Sequence, residues 1–160
     1  MRSRRRSCLG ALLVVSTAAP LWGQDLATVT VPAVVAFYVT DIGRSTPAAA
    51  PSTFEYLFAG AVVGSRALAV SIRAESPAFS GPAGGSIAAE RVSWTTSHVA
   101  GGEGYAGTLS DVVFGRVYEG GPGVTEGSVA ISWTLAPLPP PVRAGDFALT
   151  LRWKIEAITP

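Results

Sequence analysis

The sequence predicts an all-β protein: a single immunoglobulin-like or jelly-roll β-sandwich of about seven to nine antiparallel strands behind a signal peptide. Three observations predict it. Apolar and polar residues alternate with period two in several short runs, Gly and Pro cluster between those runs, and no run repeats at the 3.6-residue period of a helix. The cleanest run comes last: in GDFALTLRWKIEAI, Phe147, Leu149, Leu151, Trp153 and Ile155 point one way, and Ala148, Thr150, Arg152 and Lys154 the other. Each strand offers one apolar face, so two sheets closed over a shared core bury them all.

The chain opens MRSRRRSCLGALLVVSTAAPLWGQ, with Arg2, Arg4, Arg5 and Arg6 ahead of an apolar run from Cys8 to Ala19. A charged segment followed by a short apolar one is the pattern of a secretory signal. The run is shorter than the roughly 20 residues a membrane helix needs. Gly23 supplies the small residue at the cleavage point, so residues 1–23 are the expected signal and 24–160 a single domain, without a stable membrane span after cleavage. Cleavage after Ala18 or Ala19 is the alternative. Arg4 to Leu9 partly resembles a twin-arginine export signal, and an ordinary arginine-rich leader is the simpler reading. The expected location is therefore outside the cytoplasm: periplasm, cell surface or medium.

Loss of the leader removes Cys8, the one cysteine, and with it any disulfide, thiolate metal site or cysteine nucleophile. Eight basic residues then face eleven acidic ones, a net charge of −3 with His98 neutral. Nucleic acid, which needs a basic patch, is not an expected partner. The absence of Asn, and one Lys against eleven Arg, suggest a GC-rich bacterial genome.

Along the domain, Leu26 to Val39 is the first alternating run, interrupted by Pro32, which fits an edge strand or two strands meeting at a bend. Asp41 to Thr53 reads as loop, Phe54 to Phe58 as a short strand, and Ala67 to Glu75 as a firm one with Leu68, Val70 and Ile72 on one face. Ser76 to Ser86 is loop. Ile87 to Ser97 carries the alternating RVSWTTS, with Val92 and Trp94 on one face, and His98 to Gly107 is turn-rich. Leu109 to Gly120 reads as a strand bulged at Gly115. Ser128 to Leu135 alternates through Val129, Ile131, Trp133 and Leu135, and the Pro-rich 136–146 leads into the last strand.

Catalytic motifs are missing. His98, the sole histidine, stands in a turn-rich stretch with Ser97 its near hydroxyl, a spacing that supports no triad. Asp25, Asp41, Asp111 and Asp146 are scattered and form no calcium loop. Gly101 to Gly107 lacks the GK[ST] ending of a phosphate loop. Glu103, Asp111, Glu119 and Glu126 lie in or near loops, where a glycosidase would need two carboxyl groups facing a sugar. Pro137 to Pro141 reads as a stiff connection or a polyproline II ligand. No catalytic, cofactor-binding or metal residue is assigned, and the chain is not expected to be an enzyme. Trp94, Trp133 and Trp153 fall on apolar phases and are expected in the core. Phe79, Tyr105 and Tyr118 are the aromatics that an exposed carbohydrate platform would have to use.

The closing pattern, Ala144-Gly145-Asp146-Phe147 followed by Leu149, Leu151, Trp153 and Ile155, resembles the end of bacterial exported β-sandwich subunits, the spore-coat-U and pilin-like proteins and related small secreted domains. The chain departs from them in lacking a cysteine pair. The resemblance implies a secreted or cell-surface, non-catalytic protein with a structural, assembly or adhesion role. It also implies self-association by strand addition, or a contact with another surface protein, with Gln24 to Val31 as the candidate donor. An extracytoplasmic ligand- or polysaccharide-binding module is the alternative.

Overall fold

The computed structural model describes residues 26–59, 66–81, 86–142 and 144–159. The expected signal segment, with Gln24 and Asp25, lies outside the described residues. Ten strands follow in order: β1 (Leu26–Thr30), β2 (Thr46–Pro47), β3 (Ser52–Ala59), β4 (Ala67–Ala74), β5 (Val92–Ala100), β6 (Gly102–Gly104), β7 (Gly107–Thr108), β8 (Gly115–Gly120), β9 (Glu126–Leu135) and β10 (Leu151–Ile158). The count exceeds the expected seven to nine because β2, β6 and β7 are only two or three residues long, too short to show an alternation. A single 3-10 turn, Ala89–Arg91, precedes β5, and among the described residues no helix is long and apolar enough to cross a membrane.

The strands form two antiparallel sheets. The first runs β1-β3-β9-β5-β7, with β2 also paired to β9; the second runs β10-β4-β8-β6. No two consecutive strands are hydrogen-bonded neighbours. From β3 onward every connection carries the chain to the other sheet, which is why the connections are rich in Gly and Pro.

One apolar core joins the sheets. Phe54 of β3 stacks on Trp153 of β10 with ring centroids 6.3 Å apart and lies 6.0 Å from Tyr118 of β8. Trp94 and Trp133, register partners on β5 and β9, meet at 6.1 Å. Both indoles have polar partners: Trp94 Nε1 donates to the Tyr105 carbonyl at 2.9 Å, and Trp133 Nε1 to the Ser52 hydroxyl at 3.1 Å. The third, Trp153 Nε1, is buried without a hydrogen-bond partner among the described residues. All three tryptophans are in the core, as their phase predicts.

Several sequence expectations need correction, beginning with the expected loop Asp41 to Thr53, which holds β2 and the first two residues of β3. The first run ends at Thr30, and residues 31–39 form no strand, although Val35 and Phe37 plug into the core. Leu109 to Gly120 is a strand only from Gly115; before it the Ser110 hydroxyl accepts the Val112 and Val113 amides at 3.1 Å and closes a turn. The bulge lies at Val117, not Gly115: Val70 faces Tyr118 while Ser71 faces Arg116, so Val117 is the extra residue. Gly115 has another reason to be Gly. A Cβ there would sit 2.6 Å from the Trp94 ring, and one at Gly107 would sit 2.5 Å from it, so the indole is gripped between two bare backbones. Finally, the closing alternation is strand only from Leu151. Phe147 and Leu149 are nonetheless buried, held by the bridge between Ala148 and Ser80.

Candidate functional site: the charged outer face of the second sheet

Register fixes which side chains meet outside the core. On β10 and β4, Arg152 faces Arg73, Lys154 faces Ser71, Glu156 faces Ala69 and Ile158 faces Ala67. On β4 and β8, Ser71 faces Arg116 and Ala69 faces Glu119, and Glu119 in turn faces Glu103 of β6. The outer face therefore carries cations towards one end and carboxylates towards the other. Ala67, Ala69 and Ser71 form its floor, and all three are buried. Long charged side chains cover such a floor with their aliphatic stems while their heads stay in water.

The Val117 bulge is what makes this face work. Arg116 and Glu119 are three apart, which on a regular strand would send them to opposite sides. The extra residue restores the parity, and the two form a salt bridge on one face. Next to it, the Tyr105 hydroxyl donates to Glu103 Oε2 at 3.1 Å. The Tyr105 phenol is pushed above its usual range, first by desolvation, then by the bond to Glu103 and the negative charge of Glu119 and Glu103, with Arg116 opposing. Lys154 pairs with Glu156 at 2.6 Å, and Arg152 with Glu75 at 2.5 Å. Arg73 lies over the Phe114 ring at 5.0 Å and Lys154 over the same ring at 5.9 Å, both within cation–π reach.

Of the four loop carboxylates that the sequence offered, the structure brings Glu103 and Glu119 together and separates the rest. Asp111 sits in the turn before β8, and Glu126 opens β9 in the other sheet, opposite Leu57. Glu103 accepts from the Tyr105 phenol and Glu119 pairs with the Arg116 guanidinium, both on the outer face of the sheet. Asp41 accepts the Gly43 amide at 2.8 Å and pairs with Arg44, which is turn-making. Among the described residues no three of His, Cys, Asp and Glu gather as a metal-binding group.

His98 lies at a second bulge, where the β5–β9 register slips between Ser97 and Ala100, and its φ of 48° is left-handed. Its Nδ1 is 3.2 Å from the Ser97 hydroxyl. Gly101 to Gly107 holds β6 and the start of β7, one in each sheet, after a left-handed residue at Gly101. Pro137 to Pro141 is tied to its own chain at its start, while Pro139 to Pro141 are exposed. Its Pro137 carbonyl accepts Arg91 Nη1 at 2.5 Å, Leu138 is buried, and the Leu138 amide donates to Ile42 at 2.7 Å.

Two of the three aromatics considered for a carbohydrate platform are in the core: Phe79 and Tyr118 are buried. Tyr118 donates to the Ala100 carbonyl at 2.9 Å, and its phenol is pushed far above the usual value of 10.0 by burial and by a hydrogen bond with Tyr56. The exposed aromatic that sequence reasoning missed is Tyr38, which lies past the end of β1. The segment expected to serve as a donor strand pairs, over Leu26–Thr30, with β3 of its own chain. Comparison of the chain with known protein families, with curated proteins and with solved structures found no match.

Proposed function

We propose that this is an exported, non-catalytic protein with a structural, assembly or adhesion role, and that its two sheets form a β-sandwich of jelly-roll rather than immunoglobulin-like type. The topology supports the second part. Immunoglobulin-like sandwiches pair consecutive strands as hairpins, whereas here β9 inserts between β3 and β5 and no consecutive strands pair. The observation that carries the first part is the state of the acidic groups. On the face richest in charge, Glu103, Glu119 and Glu156 each engage a phenol or cation two or three residues away along the chain. Such a surface suits lateral protein contact. Cell fractionation with electron microscopy tests it: the protein should be found outside the cytoplasm in assembled or surface-bound material. A strictly monomeric protein with no surface association would sink the proposal.

The polysaccharide-binding alternative draws on one observation, the outer face of the first sheet. Thr53, Ser93, Thr95, Ser97, Ser128, Ser132 and Thr134 share it in register, a field of small hydroxyls. Retention on an immobilised polysaccharide, lost on changing Thr95→Lys, would favour this reading over assembly.

A further inference from the structure

We infer that a second copy of this chain docks along the free edge of β10, in one register. The argument starts from the four sheet edges. A sheet edge is a template for another strand, and native proteins blunt it by brevity, proline, bulges or charge, Lys above all. Three edges here are blunted by their length or by proline: β6 and β7 are two or three residues long, and β1 has five residues with Pro32 soon after. The fourth carries charge alone, Arg152, Lys154 and Glu156, of both signs. β10 runs eight residues without Pro or Gly, pairs with β4 in unbroken register, and makes no other backbone hydrogen bond among the described residues. Its charges all point outward, and Ile155 and Ile158 remain only partly buried.

The charge order selects both the occupant and the register. Arg152, Lys154 and Glu156 succeed one another on the outer face. Two copies of β10 running antiparallel about a two-fold at Ile155 place Lys154 opposite Glu156 of the second copy, and Glu156 opposite its Lys154. The same axis sets Ile155 against itself and Trp153 beside Ala157 of the second copy, large against small. Each neighbouring register puts like charges in contact: an axis at Lys154 opposes two lysines, while also setting Arg152 against Glu156, one at Trp153 opposes Arg152 to Lys154, and one at Glu156 opposes two glutamates. Like charges directly opposite destabilise a strand pair, and unlike ones stabilise it. The intrachain Lys154–Glu156 contact at 2.6 Å places both charged heads together on the outer face of β10. The result is an isologous dimer in which the 4-stranded sheet is doubled end to end.

This inference rests on the assembly reading and names its first contact. Sedimentation or light scattering of the purified full chain, with far-ultraviolet circular dichroism as a fold control, tests it. The wild-type chain should show twice the mass of one copy. Lys154→Glu alone and Glu156→Lys alone should each halve that mass without unfolding. Mixing the two single variants restores opposite charge at both contacts, so the mixture should recover the dimer, as should the chain carrying both changes. A wild-type chain that is monomeric overturns the inference, and so does a dimer indifferent to the single variants. In the second case the assembly reading stands and only the edge is wrong; a monomer that is also absent from surface material removes both.

Discussion

The two outer faces are built on the same alternation and finished in opposite ways. The first sheet is clad in Ser and Thr, with Glu55 and Glu126 as its acids towards one end. The second is clad in Arg73, Arg116, Arg152 and Lys154 set against Glu103, Glu119 and Glu156. Small hydroxyls leave a strand's outer surface wet and tolerant. Long charged residues over Ala67, Ala69 and Ser71 create a second, thin packed layer, so β4 is buried on both sides. A face that is packed outside as well as inside has a defined shape, and a defined shape is what a specific partner can read.

The comparison can be broken most severely by removing its edge. Deleting Phe147 to Ile158 strips Phe147, Leu149, Leu151 and Trp153 from the core, each contributing about 1.5–3 kcal/mol. No cooperative melt should remain; a soluble truncation with a sharp transition would show that the first sheet folds alone. A finer cut is to place the same side chain on both faces. Ala69→Leu must push into the layer between Glu119 and Glu156 and should cost about 1–3 kcal/mol. Ser132→Leu, on exposed first-sheet surface, should stay within about 0.5 kcal/mol. Equal costs by denaturant titration would mean that the second face is not packed.

The tryptophans sharpen the contrast inside the core. Trp133→Phe removes an indole bonded to Ser52 and leaves that buried hydroxyl without its donor, a loss of about 1–3 kcal/mol. Trp153→Phe deletes an N–H that has no hydrogen-bond partner among the described residues, so it should cost clearly less. The reverse order in chemical denaturation would contradict the hydrogen-bond assignment. For Tyr118 the sign follows from its raised pKa. The neutral phenol is favoured in the folded state, so its contribution is complete below pH 10 and is lost as pH rises beyond it towards the folded value. Melting temperature should fall above pH 10, and Tyr118→Phe, though less stable at neutral pH, should show a shallower fall. A change of opposite sign is expected at His98, whose left-handed φ suits Gly better. His98→Gly should be neutral or stabilising by up to about 1 kcal/mol.

Faces were legible in the sequence and partners were not. Leu68, Val70 and Ile72, Val129 to Leu135, and the three tryptophans all point where period two sends them. Alternation says which side a residue takes, but it carries nothing about which strand lies alongside. Glu103 and Glu119 are 16 positions apart in the chain and meet because β6 and β8 pair, which no local pattern announces. Arg116 and Glu119 have the wrong spacing to share a face until the Val117 bulge is known. Tyr118 was misplaced as an exposed candidate because that bulge and the Gly neighbours of the strand weaken its phase. The signal that was available and missed is the closing charge order R-x-K-x-E on a strand without Pro or Gly.

The missing hairpins have a kinetic consequence. Among the described residues none of the ten strands is bonded to the one before or after it, so none of these strand pairs can form by zipping outward from a tight turn. Every pairing must first close a long loop, and loop closure costs entropy before any contact repays it. Such high-contact-order β topologies refold in milliseconds to seconds rather than microseconds. The first sheet cannot be complete until β9 arrives to join β3 to β5, nor the second until β10 does. Throughout that wait the long apolar strands are unpaired, so the refolding yield of this chain should depend steeply on its concentration.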